Sequence, residues 1–448
     1  MHLNSRFGKN SSTVPHGSHG SSAGESPSLV IFPYHCTCGA NDATSRRKLR
    51  IALYSHDTMG LGHMRRNLLI AQTLTAPPLS ASILMVAGAC QISKFTLPAG
   101  VDCLSLPSLC KKPNGEYGSR NLDVSLGELS RLRAKTITAA LQSFRPDLLI
   151  VDNVPRGALG ELDQVLCEMR GQTQLVLGLR DVLDAPERVR EEWSKAQNFE
   201  TIRAYYDAIW VYGDREVYDL VREYNFPADI AQKVRFVGYL DQRARLQEEQ
   251  SNFFLPIEYR DRQLAVCSVG GGQDGVSLAE AFMRADLPRN FNGVVLTGPF
   301  MPSEARQRLQ QLTRSSRLQV VDFMAEPLRL LSRADRIVSM AGYNSSCEML
   351  SLGIPALLVP RATPRVEQLL RAERLSSLGY ADVLHPDQLT SQAISKWLAQ
   401  EPTFTNKRRK FDLDGLSRLP ELAEEVLALS SKHSNRPLPQ GGLRHAVR

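Results

Sequence analysis

No apolar run in this 448-residue chain approaches the roughly 20 residues that a membrane-spanning helix needs. The opening residues, MHLNSRFGKNSS, lack the apolar core of a secretory leader, so the cytoplasm is the expected location. Cysteine is sparse: eight residues, without the paired spacing of a metal site. Cys90, Cys267 and Cys347 lie in apolar or helix-opening stretches, where a free thiol acts as a small hydrophobe. Cys36 and Cys38 form a lone C-x-C in a Ser/Gly-rich stretch, weak ground for a metal. A reduced chain without disulfides and without a bound metal is expected. Basic residues interleaved with aromatics are also missing, which sets nucleic acid aside.

The formal charge of +7 is modest for the length, with small basic clusters at 46–48, 111–112 and 407–410. Each reads first as a solvated face. The sharper reading is attraction to an anionic substrate, or a peripheral contact at the inner face of an anionic membrane. An apolar share of 42% supports a sizeable core, and the length suits two domains plus tails.

Residues 1–47 are Ser/Gly/His-rich without sustained periodicity and read as a disordered extension. From there, apolar strand-like runs at 49–54, 82–87, 147–151, 174–178 and 208–212 alternate with helical patterns at 64–74, 126–143, 158–169 and 186–203. The alternation restarts after the charged stretch 241–261. Strands follow at 263–269, 293–297, 318–321, 336–340 and 355–359, with a helix at 276–284. Strands alternating with helices give an α/β protein whose parallel sheets are covered on both faces. The expected division is a first Rossmann-like domain at 48–240, a linker at 241–262 and a second Rossmann-like domain at 263–405. An amphipathic helix within 406–431 is expected to pack back across the first domain, before a loose tail at 432–448.

Three turns carry chemistry. Asp57-Thr58-Met59-Gly60-Leu61-Gly62-His63 follows the first strand. Its bland reading is a tight βα turn; its functional reading places His63 in a cleft as a base or a sugar or phosphate ligand, with Arg65 or Arg66 facing an anion. Gly270-Gly271-Gly272-Gln273-Asp274-Gly275 follows another apolar strand. Three glycines in a row let a diphosphate approach backbone N–H groups. In the third, a strand ending at Met340 meets Gly342 and a helix opening Tyr343-Asn344-Ser345-Ser346, with Glu348 one turn inside. A helix N-terminus beside a carboxylate suits phosphate next to ribose, the carboxylate gripping vicinal hydroxyls. Asp152 and Asp181 end apolar strands at the edge where open sheets bind ligands; each reads as a loop-capping carboxylate or as a base.

Taken together, these segments resemble the GT-B glycosyltransferases, the MurG family in particular. GGGQDG is similar to that family's GGSQGA turn, and residues 323–368 follow its pattern without an obvious gap. The resemblance implies two Rossmann-like αβα domains facing each other across a cleft. It places Phe323 and Met324 at the base, Gly271, Gly272, Gln273, Gly342, Asn344 and Ser345 on the phosphate side, and Glu348 at the ribose. Glu367 and Gln368 then fall beside the donor sugar, where the family carries Gln-Gln. Gly60, Gly62 and Arg65 fall in an acceptor-side loop, and His63 on that loop's His. The Arg that the family carries after its interdomain V-G-N-P is replaced in Val237-Gly238-Tyr239-Leu240-Asp241-Gln242.

The expectation is an inverting, metal-independent transferase that uses a nucleotide-sugar, with a UDP-sugar preferred, as co-substrate and needs no resident cofactor. The transferred group is hexosyl or N-acetylhexosaminyl, and the acceptor is a lipid-linked molecule, a glycan or a small molecule. His63 is the first candidate for the base, then Asp152. Two alternatives stand: a non-hydrolysing UDP-GlcNAc 2-epimerase, whose R-x-x-T-E-R-P-E segment PRATPRVEQ loosely resembles, and a non-catalytic nucleotide-sugar sensor.

Overall fold

A computed structural model describes residues 47–56, 62–88, 96–111, 117–246, 262–313, 315–322, 324, 326–401 and 412–429. Expectations for residues 1–46, 407–410 and 432–448, and for Gly60 and Phe323, lie outside the described residues.

Strands hidden on both faces need continuous apolar runs, and the central strands here carry them, as in Ile51–Tyr54 and Leu148–Val151. The first sheet consists of β1 (Arg50–Ser55), β2 (Ser82–Ala87), β3 (Val101–Ser105), β6 (Leu148–Asp152), β7 (Gln174–Arg180), β8 (Ala208–Tyr212) and β9 (Val234–Phe236). Its order is β3-β2-β1-β6-β7-β8-β9, with every pairing parallel. A two-stranded antiparallel ribbon, β4 (Leu109–Lys111) and β5 (Tyr117–Ser119), stands apart.

The second sheet contains β10 (Gln263–Ser268), β11 (Phe291–Leu296), β12 (Leu318–Val321), β13 (Arg336–Ser339), β14 (Ala356–Leu358) and β15 (Asp382–Val383). Its order is β12-β11-β10-β13-β14-β15, again all parallel. In both sheets the winding direction reverses beside the first strand, between β1 and β6 and between β10 and β13. Doubly wound sheets bind ligands outside the carboxyl ends of the strands at that reversal.

Two helix expectations need correction. The pattern at 186–203 is two helices, Pro186–Lys195 and Asn198–Tyr205, because Gln197 between them takes a left-handed backbone with φ 53°. The helix expected from residue 158 begins only at Asp163, after a turn in which Gly157 and Gly160 both have positive φ. The helix Gly415–Ala428 lies against the helix Gly62–Thr75, with Leu419, Ala423 and Val426 in the same core as Met64 and Leu69. No helix among the described residues is long and apolar enough to cross a membrane.

The two lobes are joined by a dry polar seam. Arg371, on the helix Glu367–Ser377, is 1% exposed and grips Asp181 of the first lobe through Nη2 at 2.7 Å and Nε at 3.0 Å. Its Nη1 donates to the Ala341 carbonyl, and the Tyr239 hydroxyl donates to the other Asp181 oxygen at 2.9 Å. Beside it the Tyr343 hydroxyl donates to the Tyr212 carbonyl, and the Tyr239 and Tyr343 rings stack. At the rim, Asp184 accepts from the Val366 N–H and from Arg365. Asp181, a candidate base in the sequence, is therefore the counter-ion of a structural arginine, with no exposed surface. Arg371→Leu strands that carboxylate in the seam, and the unfolding free energy measured in urea is expected to fall by about 3–5 kcal/mol. An unchanged value would refute the clamp.

Candidate functional site

Both winding reversals open onto one cavity of about 330 Å³ between the lobes. The second lobe supplies most of its lining. β10 delivers Ser268 and Val269 and then the turn from Gly270 to Asp274. Gly270 and Gly272 hold φ of +64° and +94°, and a Cβ on Gly272 would lie 2.2 Å from the Thr297 carbonyl oxygen. Only glycine satisfies both demands. β13 delivers Met340 and Gly342, and the helix Tyr343–Leu352 starts there without a side-chain cap. Its leading N–H groups and positive dipole end thus open on the cavity beside Ser345. Asp322, Met324 and Gln368 also line it.

Glu348 lines the cavity but is already engaged. Its Oε1 accepts from Arg245 Nη1 at 2.8 Å and lies 3.8 Å from Arg65 Nη1, while Arg245 also grips Glu326. Arg245 comes from the short helical turn Gln242–Leu246, just past the segment where the family arginine has no counterpart. Its chain position gave no sign of this role.

The first lobe supplies Gly62, His63, Arg65, Arg66 and Arg180. Gly62 is a close-approach glycine: a Cβ there would sit 2.8 Å from the Asn344 side-chain nitrogen, which donates to the Gly62 carbonyl at 2.9 Å. Asn344, expected on the phosphate side, thus bridges the lobes through its amide. His63 stands at the helix start with Nδ1 2.5 Å from Asp152 Oδ2. Asp152 also takes a forked pair from Arg66 Nη2, at 2.6 and 2.7 Å. Burial would raise the Asp152 carboxyl, but Arg66 and then His63 overcome it and hold it below the ordinary carboxylate range. Two acceptors 2.5 Å apart would repel, so Nδ1 carries a proton toward Asp152. His56 packs its ring against His63 at 4.6 Å; burial, then His63, pushes its imidazole well below its ordinary value.

The structure thus brings together His63 and Asp152, two candidates for one role, as partners. Asp152 is 1% exposed, lies outside the cavity lining and is held ionised, which makes it a poor base and a good orienter of the imidazole. Glu367 also needs correction. It does not line the cavity; its Oε1 accepts from Arg361 Nη2 at 2.6 Å. Arg361 lines the cavity in its place, joined as well to Asp274 at 2.6 Å, and its N–H donates to Gln368 Oε1. Sequence reading did not single out Arg361 or Arg180 as site residues. The available signal was their place at the carboxyl ends of strands, Arg180 as the last residue of β7 and Arg361 just past β14.

Residues 266–415 match the model of the glycosyltransferase family 28 C-terminal domain. The UDP-N-acetylglucosamine–N-acetylmuramyl-(pentapeptide) pyrophosphoryl-undecaprenol N-acetylglucosamine transferase of Geobacillus kaustophilus is 42% identical over 67 residues, 14% of this chain and 19% of that protein. This chain spans from about a fifth to about half of the length of the curated relatives that it matches. Among solved structures, a calicheamicin glycosyltransferase superposes with a TM-score of 0.56 at 16% identity, over 87% of this chain and all of that one. A UDP-N-acetylglucosamine 2-epimerase gives 0.57 at 13%, over 88% of this chain and all of that one. The chain therefore has the two-domain GT-B fold, and its second domain is similar to the family 28 C-terminal domain across the stretch that supplies most of the cavity lining.

Proposed function

We propose that this protein is a glycosyltransferase that moves a hexosyl or N-acetylhexosaminyl group from a nucleotide-sugar, UDP-linked by preference, to an acceptor hydroxyl with inversion and without a metal. The observation that carries the reading is a convergence. A glycine turn and an uncapped helix start, both within the family 28 match, face an imidazole held by a carboxylate across one cavity.

In this reading the diphosphate lies against the Gly271 and Gly272 backbone and the helix start at Gly342 and Ser345. Met324 faces the base, and Glu348 turns from Arg245 to the ribose hydroxyls. The acceptor hydroxyl gives its proton to His63 Nε2 as its oxygen bonds to the anomeric carbon. The bond from that carbon to the diphosphate oxygen breaks on the opposite face, and the nucleoside diphosphate leaves. Charge growing on the leaving oxygens meets N–H groups and the helix dipole already in place, with Arg361 nearby. Asp152 keeps Nδ1 protonated so that Nε2 remains the basic nitrogen. Lipid-linked, glycan and small-molecule acceptors are the classes to screen. An epimerase would equilibrate two UDP-sugars with no acceptor present, and that assay separates the readings.

Replacing Glu348 by Gln is expected to weaken UDP binding about tenfold or more in calorimetry. The same change should matter far less against 2′,3′-dideoxy-UDP, which lacks the hydroxyls. Equal losses for the two ligands would reduce Glu348 to a structural partner of Arg245. For the base, His63→Ala is expected to lower the transfer rate by about 10²–10⁴ while UDP binding persists. A variant that keeps the full rate removes His63 from the chemistry.

A further inference from the structure

The arginines around the cavity differ in one respect. Arg66 is paired with Asp152, Arg361 with Asp274 and Glu367, Arg245 with Glu326 and Glu348, and Arg371 with Asp181. Arg180, the last residue of β7, lines the cavity without a carboxylate in ion-pair distance among the described residues. Its Nε is buried and has no hydrogen-bond partner. Burial works against its charge, and so do its like-charged neighbours Arg371 and Arg66, with Glu367 and Asp152 offsetting them only in part. A guanidinium held this way, with no protein acceptor for its fork, is a built receptor for an anion.

The place of Arg180 says which anion. The turn and helix start assigned to the diphosphate belong to the second lobe. Arg180 belongs to the first, two residues along β7 from Gly178, the register partner of Asp152 on the neighbouring strand. The charges that act on it come from the His63–Asp152–Arg66 group and from the helix that begins with Glu367 and Gln368. In the nucleotide-sugar reading, that is where the transferred sugar and the incoming acceptor meet.

We propose that Arg180 forms a subsite for an anionic substituent, a carboxylate or a phosphate ester, carried by a reacting partner in addition to the donor diphosphate. The proposal rests on the nucleotide-sugar reading above. A carboxylate on the transferred sugar and an acid group on the acceptor share this chemistry, and the two sources separate experimentally.

The test compares wild type, Arg180→Gln and Arg180→Lys, after thermal melts establish that all three are folded. In one arm, calorimetry gives the affinities of UDP-glucose and UDP-glucuronate. In the other, UDP-saturated protein is titrated with inorganic phosphate and with free glucuronate. A donor-borne anion appears as UDP-glucuronate binding at least about tenfold tighter than UDP-glucose in wild type. That preference collapses in Arg180→Gln and returns in part in Arg180→Lys. An acceptor-borne anion appears instead as binding in the second arm that Arg180→Gln abolishes. Two results overturn the proposal: no preference or anion binding that depends on Arg180, or an equal loss for UDP and both sugar nucleotides, which would make Arg180 a diphosphate clamp. Failure of wild type to bind UDP at all would sink the nucleotide-sugar reading itself, and the two failures are therefore distinguishable.

Discussion

The geometry of the cavity depends on one ion pair that is not part of it. Arg371 and Asp181 meet in a seam from which water is excluded, and each is tied to a wall of the site. Asp181 directly follows Arg180, and Arg371 sits one turn along the helix that begins with Glu367 and Gln368. A charge pair of this kind contributes little net stability compared with an apolar pair of the same shape, but it tolerates little misalignment. The forked contacts, the Tyr239 hydroxyl and the Ala341 carbonyl together leave Arg371 a narrow range of positions. Its effect is to fix how far His63 stands from the glycine turn.

A second regularity concerns how charge is managed around the ligand space. Carboxylates near the cavity are neutralised by arginines: Asp152 by Arg66, Glu348 by Arg245, Glu367 and Asp274 by Arg361. The donor wall between them is uncharged backbone, N–H groups of a turn and of a helix start. Such dipoles are already oriented before a diphosphate arrives, so little reorganisation is needed as its charge grows. Arginines around the rim keep stray carboxylates from competing for the same space.

Much of this architecture was legible in the chain because it is local. Central strands of a parallel sheet are continuous apolar runs, and those of both sheets were readable, as were the glycine turn and the helix opening at Gly342. Of the edge strands only Leu318–Val321 was readable: Val101–Ser105 carries exposed positions, Val234–Phe236 is three residues long and Asp382–Val383 two. Nor does periodicity register a single left-handed residue, which is why Gln197 splits a pattern that reads as one helix. In the site, the candidates were readable and their partners were not. His63 finds Asp152 across 89 positions, Glu348 finds Arg245 across 103, and Arg371 finds Asp181 across 190. Partner choice at such separations is decided by how two sheets dock. Asp152 and Asp181 looked equivalent as strand-end carboxylates, and docking gave one to an imidazole and the other to a seam.

The helix Gly415–Ala428 has a mechanical meaning beyond its packing. After building the second sheet the chain returns to the first lobe, where the Gly415 N–H meets the Tyr239 carbonyl and Leu240 bridges to Asp414. The chain thus passes between the lobes twice, and on the first lobe the two passages meet side by side. Two attachments this close together oppose twisting and sliding of one lobe on the other, and they act alongside the Arg371–Asp181 pair that holds the walls of the site in register.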